Sequence, residues 1–377
     1  MAVIVPSRVC RGRDNPASPP SDFMSSTLIG IPPLYPFCFL TMPLPRAVPA
    51  LLFSCLLASC SGGGNSAERG GAVPPHLRVM TFNTGTPDCA PGTSGDWTCD
   101  DAEVASEWYG TGLAHQALIP DVRQFVDTIA PDIVALQEVF DVGRCPEIPA
   151  EARPGFICEH WQPGDPGVAA VILGDGYQIA CHRDRPDKCL AVRTAMGRFR
   201  GCDDVICPSH LAGGMTDSCG GGTRIGRGVI DFAAGGSLTV VSVHGTSGVG
   251  REDQACRVQQ FEQVFSDILD GTGQAAASGA ANLVLGDLNT DPGRLALIDQ
   301  SAARWNDFVG DGLAFSMITQ IGLLAPPTYA RLLNIDHVAS DVFDGTCFPG
   351  TATETVAFDH RPIVCDITHI GASDWEP

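Results

Sequence analysis

Short apolar runs of strand-like length recur along this chain, and each ends or begins at a polar residue. The first run, over residues 77–82, alternates along its length and leads directly to Asn83. The polar residues in this position are Asn83, Glu138, His244, Asp287, Asp336, Asp359 and His360. Strand ends are where α/β folds place their ligands, so these residues are the first candidates for a functional site.

Helical patterns separate the strand-like runs. Over residues 121–130, apolar side chains recur at i, i+3, i+4 and i+7 and form one helical face, which a proline ends. A second helix is predicted over about residues 254–269. Helices that alternate with strands predict an α/β fold. Because no internal repeat or second linker interrupts the pattern, we predict one domain over residues 77–370 and a tail over 371–377.

Residues 42–60 have the features of an export signal. A positive start is followed by an apolar run over residues 47–57, and the ending Leu-Ala-Ser-Cys resembles the lipobox of bacterial lipoproteins. The run is shorter than the roughly 20 residues that cross a bilayer. We therefore predict that residues 1–59 are a removed leader whose true start is Met42, and that Cys60 carries a lipid.

A lipid on Cys60 would hold the protein on the bacterial cell envelope, outside the cytoplasm. Residues 60–76 would then consist of the lipidated cysteine and a flexible tether rich in Gly, Pro and Ser. The alternative is a plain secretory signal cut nearby, which would release a secreted protein.

The cysteine content also indicates export. The chain has 16 cysteines, none of them in a C-x-x-C pair, and no two stand closer than Cys202 and Cys207. Metal binding is the alternative, but a disulfide framework explains this spacing better and predicts an oxidising compartment. Five cysteines fall between Cys181 and Cys219, which predicts a disulfide-pinned insertion near the site.

The charge of the chain restricts its partners. A formal net charge of -20, from 43 acidic and 23 basic residues, disfavours a broad basic surface that neutralises nucleic-acid phosphates. It leaves open an enzyme that holds phosphate through a divalent cation, because the acidic residues would then bind the metal.

Several of the polar residues at the strand ends are carboxylates. Beside apolar runs, an unpaired carboxylate is costly to bury, and a divalent cation would offset that cost. Hard oxygen ligands favour Mg²⁺, Mn²⁺ or Ca²⁺ over zinc. Asp287 and Asn289 stand at i and i+2, so their side chains point the same way if the segment is extended. His244 and His360 are candidates for proton transfer near neutral pH.

In this order the residues resemble the endonuclease/exonuclease/phosphatase superfamily, whose fold is that of pancreatic deoxyribonuclease I. Each motif is weak by itself, and the order carries the resemblance from Arg78 to about Asp366. The motifs are VMTFN with Asn83, ALQEV with Glu138, VVSVHG with His244, GDLN with Asp287 and Asn289, NIDHV with Asp336, and FDHRP with Asp359 and His360. The resemblance implies two β-sheets packed face to face as a sandwich, with helices on the outer faces.

The resemblance also implies a metal site. Glu138 is similar to the principal metal ligand of the superfamily, with Asp359 and Asn83 completing the site. The expected cofactor is Mg²⁺, with Mn²⁺ or Ca²⁺ as alternatives. Without the family context, Asn83 could simply cap the chain after its strand.

The remaining positions correspond to catalytic groups. His360 resembles the histidine that contacts the scissile phosphate, and Asp287 the residue that orients or deprotonates the attacking water. Asn289 would steady the phosphate, and His244 resembles a second histidine of the deoxyribonuclease-like and sphingomyelinase-like branches. Asp336 would support this site, although a purely structural carboxylate is the alternative.

These inferences predict an exported, divalent-metal-dependent phosphohydrolase that cleaves phosphate esters by attack of water. A nuclease-like phosphodiesterase is the first expectation; a phospholipid, sphingomyelin or inositol-phosphate hydrolase and a noncatalytic binding protein are the alternatives. The expected partners are a phosphate-ester substrate, whether nucleic acid, phospholipid or inositol phosphate, and the membrane through Cys60. No protein partner is evident, and we expect a monomer.

Overall fold

Alternating apolar residues build two mixed β-sheets, which a computed structural model describes over residues 73–86, 97–350 and 357–371. The predicted leader and lipidated Cys60, most of the tether, and the tail after residue 371 lie outside the described residues. The first sheet contains, in spatial order, β12 (Phe343–Pro349), β13 (Ile363–His369), β1 (His76–Asn83), β2 (Ile133–Gln137), β4 (Arg185–Arg193), β3 (Tyr177–His182) and β6 (Ile206–Leu211). The second contains β10 (Ser316–Met317), β11 (Asp336–Ser340), β9 (Asn282–Asp287), β8 (Ser237–His244), β7 (Ile225–Phe232) and β5 (Gly197–Phe199).

The inner faces of the two sheets form one hydrophobic core. Val79 of β1 and Leu190 of β4 belong to the same buried cluster as Val240 of β8 and Leu283 of β9. Burial of these alternating side chains between the sheets is what removes the largest apolar faces from water. The predicted face-to-face sandwich is therefore confirmed.

Helices cover the outer faces of both sheets. One cluster packs the first three helices on the outer face of the first sheet, and another packs the last two on the second sheet. The described helices are α1 (Cys99–Val104), α2 (Ile119–Ile129), α3 (Val168–Leu173), α4 (Arg251–Phe265) and α5 (Gln300–Asn306), together with short 3₁₀ turns and a π-helical turn at Ala105–Tyr109. The predicted positions of helices on the outer faces are confirmed.

Helix ends differ slightly from the sequence prediction. Helix α2 ends at Ile129, and the next residue, Ala130, takes the left-handed conformation with φ of 48° before a proline. Helix α4 begins earlier than expected, because the backbone N–H of Gly250 donates to the Asp253 carboxylate at 3.0 Å and caps the first turn. It also ends earlier, at Phe265.

The segment from Cys181 to Cys219 is not an insertion, contrary to the sequence prediction. It contributes strands to both sheets, because Leu190, Phe199 and Leu211 alternate onto the inner faces and are buried there. Two arginines of this segment lie in ion pairs, Arg193 with Asp132 and Arg200 with Asp231.

The predicted disulfide framework is present in the described residues. Every cysteine in those ranges is disulfide-bonded, including Cys99. The pairs that both lie in the described ranges are Cys145–Cys158, Cys181–Cys189, Cys202–Cys207, Cys219–Cys256 and Cys347–Cys365. Such a framework agrees with an oxidising compartment outside the cytoplasm. Among the described residues, no helix is both long and apolar enough to cross a membrane.

Candidate active site

Strand register gathers the predicted site residues at one end of the sandwich. In the first sheet, the parallel strands β1 and β2 pair Asn83 with Gln137, so Glu138 follows directly beside Asn83. In the second sheet, β8 and β9 are parallel and pair His244 with Asp287, while antiparallel β11 brings Asp336 opposite Asp287. The predicted site residues other than Cys60 therefore meet at the ends of these strands and in the loops that follow.

Asp287 lies at the centre of this cluster and is fully buried. The side-chain amide of Asn83 donates to its Oδ2 at 3.0 Å, which joins the two sheets. Asn289 donates twice, from its backbone N–H at 2.7 Å and from its amide at 3.0 Å. The segment after Asp287 is thus a tight turn, with Asn289 at a φ of 52°, rather than the extended segment expected from sequence. Burial raises the pKa of Asp287 to about 7, with His360 opposing the shift.

His360 and Asp336 form a buried pair beside Asp287. Nδ1 of His360 lies 2.8 Å from Oδ2 of Asp336, and Nε2 lies 3.8 Å from the Asp287 carboxylate. Burial by itself would lower the pKa of His360, but Asp336, Asp287 and Asp359 outweigh it and raise the pKa to about 10. With Nδ1–H held by Asp336, the protonated ring directs its Nε2–H into the centre of the site.

Three oxygen atoms converge on a single position beside Gly85. A Cβ atom placed on Gly85 would lie 2.5 Å from Oε2 of Glu138, 3.1 Å from Oδ1 of Asp359 and 3.3 Å from Oδ1 of Asn83. Oδ1 of Asp359 is buried and has no hydrogen-bond partner among the described residues. An all-oxygen donor set with an unpartnered buried carboxylate atom fits a hard divalent cation, so the residues predicted to hold the metal fit it.

A second group of possible ligand atoms belongs to Asp287, Asp336 and His360, and these atoms lie within 4.8 Å of one another. In this group, Oδ2 of Asp336 is bonded to the His360 ring, while Oδ1 of Asp336 is buried without a hydrogen-bond partner among the described residues. The three carboxylates around His360 outweigh its burial and raise its pKa to about 10, and a protonated ring repels a cation. We therefore propose that the Glu138, Asp359 and Asn83 oxygens bind the metal and that the second group transfers protons.

His244 lies between the two groups. Its Nε2 is 3.2 Å from Oε1 of Glu138 and 3.9 Å from Oδ2 of Asp287. Burial lowers the pKa of His244 to about 4, whereas the pKa of Glu138 is lowered by His244 and by His360 although burial works to raise it. We take His244 as neutral at pH 7, because the ring is buried and cations lie nearby.

Cations that the sequence analysis did not identify surround His244. The Lys188 ammonium is almost fully buried and lies 2.7 Å from the Asp187 carboxylate. Arg224 contacts the backbone oxygen of Gly245, and its buried Nε has no hydrogen-bond partner among the described residues. Its guanidinium interacts electrostatically with Glu138 and with Asp287. No sequence motif marks Arg224; it reaches the site because its carbonyl accepts a hydrogen bond from the backbone N–H of His244 at 2.9 Å.

His337, which follows Asp336, is held by hydrogen bonds on both ring nitrogens. Its two ring nitrogens lie 2.8 Å from Oγ1 of Thr319 and 2.8 Å from the carbonyl of Asn334. The alternative reading of Asp336 as a purely structural carboxylate is not favoured, because its buried oxygen contacts His360.

The sequence and the fold of this chain were compared with those of known proteins. No family model matches the sequence, and no curated protein matches it. Among solved structures, an endonuclease/exonuclease/phosphatase from Beutenbergia cavernae aligns over 78% of this chain and 72% of its own, at 17% identity and a TM-score of 0.45. One from Bacteroides vulgatus aligns over 78% and 99%, at 15% identity and a TM-score of 0.45.

A third similar structure is ANGEL2, described as a 2',3'-cyclic phosphatase, which aligns over 78% of this chain and 96% of its own. Its identity to this chain is 12% and the TM-score is 0.47. These alignments are loose, so the fold assignment depends on the two sheets and their register.

Gly85→Ala tests the metal assignment. The new methyl group would occupy the position on which the Glu138, Asp359 and Asn83 oxygens converge. We expect the Mg²⁺ concentration for half-maximal binding, measured by titration calorimetry, to rise at least about 10-fold, the size of effect seen when groups around a metal site are perturbed.

Gly176→Ala is the matched control, because a Cβ there meets no atom within 4 Å and its φ is not left-handed. We expect unchanged Mg²⁺ binding in this variant. Equal Mg²⁺ affinity in Gly85→Ala and the native protein would contradict the metal assignment.

Proposed function

We propose that this protein is an exported, divalent-metal-dependent phosphohydrolase of the endonuclease/exonuclease/phosphatase superfamily. The observation that carries the proposal is the convergence of the Glu138, Asp359 and Asn83 oxygens beside a buried acid/base pair, Asp287 and His360. Oxygen atoms suited to a hard cation, next to a carboxylate and a protonated imidazole, are the groups needed for attack of water on a phosphate ester.

Asp287 is suited to the role of base. Its pKa near 7 lets the carboxylate accept a proton from water at neutral pH, and its bonds to Asn83 and Asn289 fix its orientation. Asn289 is in turn held by the carbonyl of Gly245 at 3.0 Å. Water aligned on Asp287 would therefore attack from a fixed direction.

His360 is suited to donate a proton. Asp336 keeps the ring charged and correctly oriented, so Nε2–H can bond a phosphate oxygen and protonate the leaving oxygen. A Mg²⁺ or Mn²⁺ ion held by Glu138, Asp359 and Asn83 would neutralise the phosphate charge. Arg224, which interacts electrostatically with Glu138, would contribute a further positive charge for the same phosphate.

A cavity of about 310 Å³ opens beside Glu138 and gives room for the rest of a substrate. Its lining includes Tyr109, Phe140, Arg144 and Arg185. The cavity supports a phosphodiester substrate, with one ester group at the metal cradle and the other in the cavity. A phosphodiesterase is therefore the specific activity that we propose, ahead of a phosphomonoesterase.

We propose that the protein acts outside the cytoplasm and that it is a monomer. The disulfides support export. Lipid attachment at Cys60, in the cell envelope of a bacterium, remains the prediction made from the sequence.

Hydrolysis of bis-p-nitrophenyl phosphate with Mg²⁺, Mn²⁺ or Ca²⁺ tests the activity directly. We expect turnover that EDTA abolishes and added metal restores, because the phosphate charge requires the cation. Absence of metal-dependent turnover of this diester, of p-nitrophenyl phosphate and of plasmid DNA would refute the enzymatic function and favour a noncatalytic binding protein.

His360→Ala and Asp287→Asn test the assigned roles. Each should lower kcat at least about 100-fold, the usual effect of removing an acid or base. His160→Ala is the control, since that ring lies on the surface beside Glu159 and makes no ion pair or hydrogen bond with a site residue in the described part of the chain, and we expect its kcat to be unchanged. Rates within threefold of native in both site variants would show that the roles are wrongly assigned.

A further inference from the structure

Six aliphatic side chains project into solvent from three loops of the second sheet. Each exposes between 70% and 99% of its surface, far more than the exposed apolar residues elsewhere in the described chain, except Met215. They are Val249, Leu297, Ile298, Leu323, Leu324 and Leu332, and we call them the aliphatic rim. Single exposed apolar residues need no explanation, whereas a group on one face marks an interaction site.

The three loops leave the catalytic end of the sandwich. The loop with Val249 follows His244 at the end of β8, and the loop with Leu297 follows Asp287 at the end of β9. The loop with Leu323, Leu324 and Leu332 precedes Asp336, which pairs with Asp287. Because these strand ends are adjacent in the sheet, the rim lies on the same end as the active site.

Hydrogen bonds join the three loops into one surface. The guanidinium of Arg294 donates to the carbonyl of Ala325 at 2.6 Å and to the carbonyl of Leu332 at 3.3 Å. The side-chain amide of Gln300 donates to the carbonyl of Arg251 at 3.4 Å. The first two bonds tie the second loop to the third, and the last bond joins the first residues of α5 and α4, which directly follow the second and first loops.

The rim is also continuous with the catalytic residues. The backbone N–H of Ala330 donates to the carbonyl of Asp359 at 2.9 Å, and the ring of Tyr329 lies 4.7 Å from the ring of His360. A surface that contacts the rim would therefore bring its phosphate groups close to the proposed metal site of Glu138, Asp359 and Asn83.

The charges around the rim are suited to phosphate head groups. Arg251 and Arg331 are exposed beside the aliphatic side chains and make no ion pair within the described residues. Glu252 is exposed nearby, while the Asp253 carboxylate caps helix α4. Aliphatic side chains flanked by arginines are the composition of segments that enter the boundary between head groups and acyl chains.

We propose that the aliphatic rim docks the catalytic end on a phospholipid bilayer. This inference rests on the proposed function and narrows its substrate class to phosphate esters carried at a lipid surface. A bilayer fits better than a protein partner, because protein hot spots are enriched in Trp and Tyr, which the rim lacks, and Leu and Val are under-represented in them. The rim instead offers separate aliphatic side chains on three loops, which a fluid apolar phase accepts without shape complementarity. The net charge of -20 favours a zwitterionic surface over an anionic one.

Sedimentation with phosphatidylcholine vesicles tests the proposal. The full chain carries Cys60→Ser in every sample, so no lipid on Cys60 contributes to the differences. We compare this protein with a rim variant, Leu297→Asp with Leu324→Asp, and with a control variant, Leu313→Asp with Ile370→Asp. The control residues are also exposed, at 45% and 56%, but lie at the opposite end of the sandwich.

We expect the rim variant to bind vesicles at least about 10-fold more weakly than the control variant. Turnover of bis-p-nitrophenyl phosphate, which is soluble, should stay within twofold of native in both variants, and this separates loss of docking from loss of the proposed activity. Equal vesicle binding by the two variants would overturn the proposal. So would light scattering that shows a native dimer and a monomeric rim variant, since the rim would then be a contact between two copies.

Discussion

The hydrogen bond between Asn83 and Asp287 is the interaction on which the site depends, because it crosses from one sheet to the other. Asn83 ends β1 in the first sheet, and Asp287 ends β9 in the second. The hydrophobic core sets the spacing of the sheets. The 3.0 Å bond from the Asn83 amide to Asp287 Oδ2 then holds their catalytic ends together. A carboxylate buried as fully as Asp287 needs such donors, since its desolvation is otherwise uncompensated.

Burial and charge then divide the acidic residues of the site into two roles. Oxygen atoms of Glu138 and Asp359 converge on one position, where a bound cation would neutralise their negative charge. Asp287 and Asp336 face His360, which holds a positive charge between them. The buried cations Lys188 and Arg224 further limit the negative charge around His244. The acidic excess of the chain is thus compatible with a centre that attracts phosphate.

Much of the fold could be predicted because it depends on local patterns. Alternation in β1, the helical face of α2 and the polar residue at each strand end are all visible in the sequence. The register that places Asp287 between Asn83 and Asp336 is not, since it depends on pairing between distant strands. For the same reason the sequence predicts an insertion after Cys181, although the alternating residues of that segment fill the inner faces of both sheets.

Some site residues were beyond reach of sequence patterns. Neither Lys188 nor Arg224 stands in a recognisable motif. Arg224 reaches the site only because the pairing of β7 with β8 brings it beside His244. Gly85 carries no side chain at all, and its importance lies in the oxygen atoms that surround the missing Cβ. Such positions are set by tertiary packing rather than by local preference.

Anomalous diffraction from crystals soaked in Mn²⁺ would locate the cation most directly. We predict a peak beside Gly85, at about 2.0–2.6 Å from the oxygens of Glu138 and Asp359. A peak held instead by Asp287, Asp336 and His360, or no peak at either position, would contradict the division of the site into a metal cradle and an acid/base pair.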